Sequence, residues 1–210
     1  MSVLAQLAQN LMKGKVGDVR NLTKQAIEEG IGPEEILNLG MIQAMNTLGE
    51  SFKRNEIYIP EMLMAARAMK AGMEILQPKL TESGVEPIGT AVMGTVKGDL
   101  HDIGKNLVCM MLEGAGFKVI DVGIDVPDQK FVEIARANKA SVIGISALLS
   151  TTMVNMKSAI KLIKASDIAS KVKTMIGGAP VTQTYCDEIG ADGYAPDAAS
   201  AADLAKKLIG

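Results

Sequence analysis

Thr90-Ala91-Val92-Met93-Gly94-Thr95-Val96, followed at once by Lys97-Gly98-Asp99-Leu100-His101-Asp102-Ile103-Gly104-Lys105-Asn106, decides how this chain folds. Thr90–Val96 is a compact run of apolar and β-branched side chains, the pattern of a strand covered on both faces. The residues after it are polar and glycine-bearing, and a helical period begins near Ile103 and runs to Ala115. Strand, polar loop and helix then recur. Strand-like runs at Lys118–Val122, Val142–Ser146, Thr174–Ile176 and a short one at Gly193-Tyr194 alternate with helical patterns at Gln129–Asn138, Thr152–Lys164, Val181–Ile189 and Ala198–Ile209. This alternation predicts an α/β fold, a doubly wound five-stranded parallel sheet of Rossmann-like type in the flavodoxin-like order 2-1-3-4-5.

Upstream the grammar is different. Val3, Leu4, Leu7, Ala8 and Leu11 repeat at helical spacing, and so do Val16, Val19, Leu22, Ala26 and Ile27. A third helix is expected from Pro33, with Glu34 and Glu35 in a first turn that favours acids, and an apolar stripe of Leu37, Met41, Met45, Leu48 and Phe52. A fourth begins at Pro60 and carries Met62, Leu63, Ala66, Met69, Met73 and Leu76. Four amphipathic helices with short connections predict an N-terminal four-helix bundle. Thr81–Pro87 is polar, holds Gly and Pro, and breaks the period. The expected division is a bundle over 1–82, a linker over 83–88 and the parallel-sheet domain over 89–210.

Composition narrows the function classes. The chain has 210 residues, and its 22 basic and 24 acidic side chains nearly cancel, evenly along its length. That balance, with 3% aromatics and no Trp, argues against a nucleic-acid partner. No apolar run reaches the length of about 18 residues that a membrane helix needs, and Met1–Lys15 does not read as a signal peptide, so a cytoplasmic location without a membrane partner is expected. Cys109 and Cys186 form neither a disulfide framework nor a zinc spacing and are expected in the core.

In a sheet of this order, ligands bind beyond the carboxyl ends of the strands where the order reverses. The loops brought there are Lys97–Asn106, Ser146–Thr152 and Gly177–Thr182. A dinucleotide site would want G-x-G-x-x-G after the first strand, a phosphate loop is missing, and a phospho-acceptor Asp does not end the third strand. His101 is the only histidine in the chain. Asp99, two residues earlier, is placed to take the proton of one ring nitrogen and leave the other as a lone-pair donor, the arrangement that orients metal-ligating histidines. One imidazole does not hold a free ion, because tetrahedral zinc needs about three protein ligands. It can serve a metal already caged by a macrocycle. The alternative for Asp99 is a cap on the helix that follows it, and for Ser150, Thr151 and Thr152 a cap on theirs. Lys97 and Lys105 either meet a cofactor's polar groups or are solvated, and Met62, Met69 and Met73 line either a yielding lid or plain core.

Together these residues resemble the cobalamin-binding module of corrinoid proteins, whose signature is D-x-H-x-x-G, then S-x-L, then G-G. The matches are Asp99-Leu100-His101-Asp102-Ile103-Gly104, Ser146-Ala147-Leu148 and Gly177-Gly178, in order and each at a strand end. The bundle, with Tyr58-Ile59-Pro60-Glu61 opening its last helix, resembles the helical cap of methyl-carrying corrinoid proteins. The chain as a whole is similar to the small corrinoid subunits of methylamine, methanol and betaine methyltransferase systems, and to the cobalamin module of methionine synthase.

The resemblance implies cobalamin as cofactor, methylcobalamin in the loaded state, and His101 as lower axial ligand to cobalt in place of the cofactor's own base. Asp99 would accept the hydrogen bond from the other ring nitrogen, and Thr152 stands where methionine synthase completes that relay with a serine. Asp102, Ile103, Gly104, Ser146, Leu148, Ser150, Gly177, Gly178 and Tyr194 would line the cofactor site. The implied partners are a substrate:corrinoid methyltransferase, a second methyltransferase acting on a thiol or tetrahydrofolate, and a reductive activase. The chain would then be a shuttle subunit, not catalytic alone. A cobalamin-dependent mutase small subunit and a cobalamin-sensing regulator share the module. The bundle speaks against the first, and the lack of a DNA-binding element against the second.

Overall fold

The computed structural model describes residues 1–210, which separate into two compact units, Met1–Pro87 with Gly114–Gly116, and Ile88–Glu113 with Phe117–Gly210. No helix is long and apolar enough to cross a membrane.

The first unit is helical. Helix α1 (Val3–Met12) starts where the Ser2 hydroxyl accepts the Ala5 N–H, and α2 (Val16–Glu28) follows a turn at Gly14. Gly14 has φ +65°, and a Cβ there would lie 2.5 Å from that of Met64, so both the conformation and the space require glycine. The third helical run opens as α3 (Pro33–Glu35), winds as a π-helix over Ile36–Ile42, and continues as α4 (Gln43–Lys53). The expected stripe began at Leu37, whereas the buried residues are Ile36, Met41, Met45 and Leu48. The wider π turn spaces Ile36 and Met41 five residues apart on one face, a shift that periodicity of 3.6 does not foresee. Helix α5 (Ile59–Glu82) is fixed at its start by Pro60 and by the Tyr58 N–H donating to Glu61 at 3.1 Å. It runs past Pro78 to Glu82, so Thr81 and Glu82, where the sequence pattern breaks the helical period, still belong to its last turn. Met62 and Met69 are buried, which gives them to the core and not to a yielding lid.

The second unit is the parallel sheet. Strands β1 (Thr90–Val96), β2 (Lys118–Val126), β3 (Val142–Ser146), β4 (Lys173–Gly177) and β5 (Gly193–Ala195) pair in the order β2-β1-β3-β4-β5. Helices α6 (Ile103–Gly114), α7 (Asp128–Ala137), α8 (Ser150–Ala165), α9 (Gln183–Ile189) and α10 (Ala198–Ile209) alternate with them. One core packs Val92, Ile143, Ile145 and Ile176 of the sheet against Phe131, Met156 and Ile160 of α7 and α8. Each such side chain contributes about 1.5–3 kcal/mol by leaving water. The register aligns Thr95, Ser146, Gly177 and Ala195 in a single row at the carboxyl ends.

Strand β2 departs from expectation. It continues beyond Val122 to Val126, and its pairing with β1 is bulged, since Met93 faces Asp121, Gly94 faces Gly123 and Val96 faces Val126. Gly123 has φ +93° and Asp125 φ +50°, so the residues beyond the expected strand form an irregular strand end.

Candidate functional site

The site grows from Asp99, a carboxylate with no solvent exposure in the loop between β1 and α6. An ionised carboxylate away from water needs several donors, and Asp99 has them. Its Oδ1 accepts the His101 main-chain N–H and pairs with His101 Nδ1, both at 3.0 Å. Its Oδ2 accepts the Leu148 N–H at 2.8 Å, the Leu149 N–H at 3.3 Å and the Thr152 hydroxyl at 2.6 Å. Burial pushes this carboxyl upward, yet the bonds from Thr152, Leu148 and His101 outweigh it and hold the group far below the usual carboxylate range.

Asp99 therefore caps a helix, but not the one the sequence suggested. α6 follows it in the chain, whereas its oxygen sits at the start of α8, whose N-cap residue Leu149 has no side-chain cap of its own. The positive end of α8 adds to the stabilisation of the anion. Thr152 likewise turns its hydroxyl to Asp99.

His101 is presented outward, with 51% of its side chain exposed. With Asp99 ionised, the Nδ1 hydrogen bond assigns the proton to Nδ1 and leaves Nε2 as a free lone pair. The loop around it is held on several sides. The Thr95 hydroxyl donates to the His101 carbonyl at 2.8 Å, and Asn155 Nδ2 donates to the Lys97 carbonyl at 2.9 Å. Leu100 and Ile103, close to His101 in the chain, are 68% and 75% exposed. Leu148 and Leu149 are exposed as well.

The glycines show whether these residues fit a flat macrocyclic cofactor. Gly178 has φ +126°, and a Cβ there would lie 1.8 Å from the Ala147 carbonyl oxygen, so the protein's own backbone demands glycine. A Cβ at Gly177 would lie 3.1 Å from the Ala195 carbonyl oxygen, a tight approach. Gly104 is the opposite case. It lies in the first turn of α6, exposed, and a Cβ there would meet nothing within 4 Å. Glycine in a helix costs up to about 1 kcal/mol relative to alanine, and no protein atom accounts for it. Open space beside an outward imidazole, bordered by exposed apolar side chains, fits a corrin ring approaching the backbone.

The structure thus joins Asp99, His101, Leu148 and Thr152 through hydrogen bonds and places Ser146 and Gly177 in the row that ends the sheet. Asp102 accepts from Asn106 Nδ2 at 3.1 Å, and Ser150 is exposed at the start of α8. Tyr194 is half-buried on β5, level with Ile176 and one step below that row. Lys105 is not a solvated lysine. It is buried and pairs with Asp121 of β2 and with Asn106 Oδ1 at 2.7 Å, because a cation in the interior needs a compensating anion. Cys109 and Cys186 are buried, and burial pushes the Cys109 thiol up to about 12. Asn155, Asp121 and Asp125 went unnoticed in the sequence. Only the left-handed backbone at Asp125 marks it, and an Asp between Ile and Val gives no such signal.

The comparisons with known proteins agree with this geometry. The B12 binding domain family matches residues 89–203, and a second family of the same description matches residues 3–77. The dimethylamine corrinoid protein of Methanosarcina barkeri is 43% identical over 208 residues, covering 99% of this chain and 97% of that one. A cobalamin-binding protein from Desulfitobacterium hafniense DCB-2 superposes with a TM-score of 0.82 at 29% identity, over 99% of this chain and 98% of that chain. The methanol:cobalamin methyltransferase complex MtaBC from Methanosarcina barkeri gives 0.86 at 28% identity, over 99% of this chain and 79% of that chain. With that family model over residues 89–203 and relatives this similar over the whole chain, the protein belongs to the corrinoid proteins, with a B12 binding domain at residues 89–203.

Proposed function

We propose that this protein carries methyl groups on a bound cobalamin between two methyltransferases, with His101 Nε2 as the lower axial ligand in place of the cofactor's own base. When bound, the corrinoid supplies a cobalt that accepts a methyl group from one partner's substrate and gives it up to another's acceptor. The chain's residues do the rest. Asp99 fixes the tautomer and plane of His101 and tunes how strongly Nε2 donates. Thr152 and the Leu148 N–H keep Asp99 anionic, and the exposed Leu100 and Ile103 offer apolar surface to the corrinoid. Gly104 leaves room for the ring, while Asp102, Ser146, Leu148, Ser150, Gly177, Gly178 and Tyr194 line the cofactor site. The relatives named for dimethylamine favour a methylated amine as donor. In this reading the acceptor is a thiol or tetrahydrofolate, and a reductive activase is a third partner.

The observation that carries the reading is the Asp99–His101 Nδ1 hydrogen bond at 3.0 Å behind an exposed ring. Its test uses the single histidine. The Co(II) cobalamin-loaded protein is prepared with natural and with ¹⁵N-labelled histidine, and electron paramagnetic resonance spectra are compared. A nitrogen triplet that becomes a doublet on labelling assigns His101 as the ligand. A triplet that persists means the cofactor keeps its own base, and the assignment of Asp99, His101 and Thr152 falls. Turnover by this chain alone, from free donor to free acceptor, would overturn the carrier role.

A further inference from the structure

The irregular end of β2 touches the histidine loop in more than one place, and no residue of that segment belongs to the D-x-H-x-x-G run. Asp125 holds a left-handed backbone at φ +50°, a conformation that non-glycine residues adopt rarely and Asp or Asn most readily. From that position its main-chain N–H donates to the Asp99 carbonyl at 3.0 Å. Its side-chain Oδ1 accepts the Gly98 N–H at 2.7 Å. Gly98 itself is left-handed at φ +84°, which glycine adopts freely, so two left-handed positions are tied together by bonds running in both directions. On the far side of His101, Asp121 of the same segment pairs with buried Lys105 in the first turns of α6, and its Oδ1 accepts the Gly123 N–H at 2.9 Å. The strand end therefore grips the loop before His101 through Asp125 and after it through Asp121.

We propose that Asp125 is a positioning residue for the axial histidine: by holding Gly98 and Asp99 it sets the distance and angle at which His101 Nε2 meets the metal. The inference rests on the carrier reading above, since it presumes that His101 ligates cobalt. Asp125 bonds to the Gly98 and Asp99 main chain and so acts on the histidine through the loop that carries it. The bulge at Gly123 follows from the same role. A register continued without shifts from Met93–Asp121 would put Asp125 opposite Lys97, past the end of β1, whereas the two shifts bring Val126 opposite Val96 and leave Asp125 within the bulged stretch, where its carboxylate reaches Gly98. Asn155, donating to the Lys97 carbonyl from α8, steadies the loop from the other side.

The test separates holding the loop from merely folding. Asp125→Gly accepts the left-handed backbone without strain but removes the carboxylate, and Asp125→Asn keeps both the conformation and an acceptor oxygen. Each variant is loaded with Co(II) cobalamin, and three quantities are read: cobalamin bound per chain, the share of spectra showing the histidine nitrogen, and the melting temperature before loading. Losing one exposed hydrogen bond to a carboxylate lowers the histidine-bound to histidine-free ratio about threefold to tenfold in Asp125→Gly. Cobalamin content should stay close to wild type, and Asp125→Asn should restore the ratio. An unchanged ratio in Asp125→Gly, or an equal loss in Asp125→Asn, overturns the proposal. A second reading needs no variant: the Gly98 and Asp125 amides should exchange with solvent deuterium well below the rate of a free peptide, and exchange of both at that rate would overturn it too. Wild-type protein that shows no histidine ligation overturns the carrier reading itself, and this is seen before any variant is made.

Discussion

Replacing Asp99 by asparagine changes one atom in the most heavily bonded side chain of the site. The carboxylate takes the His101 N–H and Nδ1 on one oxygen, and the Leu148 N–H, the Leu149 N–H and the Thr152 hydroxyl on the other. An amide keeps a single acceptor oxygen. If its NH₂ faces α8, two main-chain N–H groups lose their acceptor. If it faces His101, the His101 N–H loses its acceptor and the imidazole must switch tautomer, moving the proton to Nε2. Each buried donor left without a partner costs about 1–3 kcal/mol, and the surviving bonds lose their charge assistance. Asp99→Asn should therefore destabilise the cofactor-free protein by about 2–4 kcal/mol, measured by urea unfolding followed by far-ultraviolet circular dichroism. Thr152→Val removes one bond to the same oxygen and should cost about 1.5–3 kcal/mol, while Thr152→Ser should cost much less. The double variant should lose less than the sum, since both act on one network. A stability change below about 0.5 kcal/mol for Asp99→Asn would refute the view that this carboxylate holds the loop, because a defect that small fits only a group already solvated.

Two glycine substitutions should act in opposite ways: Gly178→Ala drives its Cβ into the Ala147 carbonyl and should prevent folding or cost more than about 3 kcal/mol. Gly104→Ala meets open space, so it should stabilise the cofactor-free chain by about 0.5–1 kcal/mol while weakening cobalamin binding in an equilibrium titration. With both cysteines buried and burial raising their thiols, Ellman's reagent at pH 8 should find no reactive thiol in the native protein and two after denaturation. Burial pushes Asp192 upward, but Lys164 and the Thr174 hydroxyl and N–H prevail and set its carboxyl below the usual value. A carboxyl lowered by folding adds stability above its unfolded pKa, near 3.9, and loses it as pH falls through the lower folded value. Asp192→Asn should thus unfold more readily than wild type at pH 6, with the gap narrowing as pH drops below 4, in urea titrations at each pH.

The sheet was legible because its signal is local. Thr90–Val96 and Val142–Ser146 are short apolar runs between polar loops, and they form β1 and β3 with those bounds. Strand order followed from the length and number of units. What local patterns hide is a change of backbone state inside an element. Ile36–Ile42 keeps a helical composition while winding as a π-helix, and the strand that the apolar run ends at Val122 continues through Asp125 to Val126. At the site, the sequence paired Asp99 with His101 by proximity but gave its capping role to the wrong helix. The actual partners, Leu148 and Leu149, are main-chain amides 49 and 50 residues away, and a main-chain N–H has no residue type to betray it. Lys105 was ambiguous for a related reason: its counter-charge, Asp121, lies on another strand.

The span of those bonds bears on how the protein comes into being. Asp99 precedes Thr152 by 53 positions, so a nascent chain that has just released the histidine loop holds a carboxylate with most of its donors not yet synthesised. At about 5–20 residues per second, roughly 3–10 s pass before α8 emerges. Until then the loop has the motif but not the geometry. The run Gly98–Asn106, cut out as a peptide or grafted into another scaffold, should carry an ordinary histidine. Competence to seat a corrinoid arrives with the third strand and its helix, which makes loading a late event in the life of each new chain.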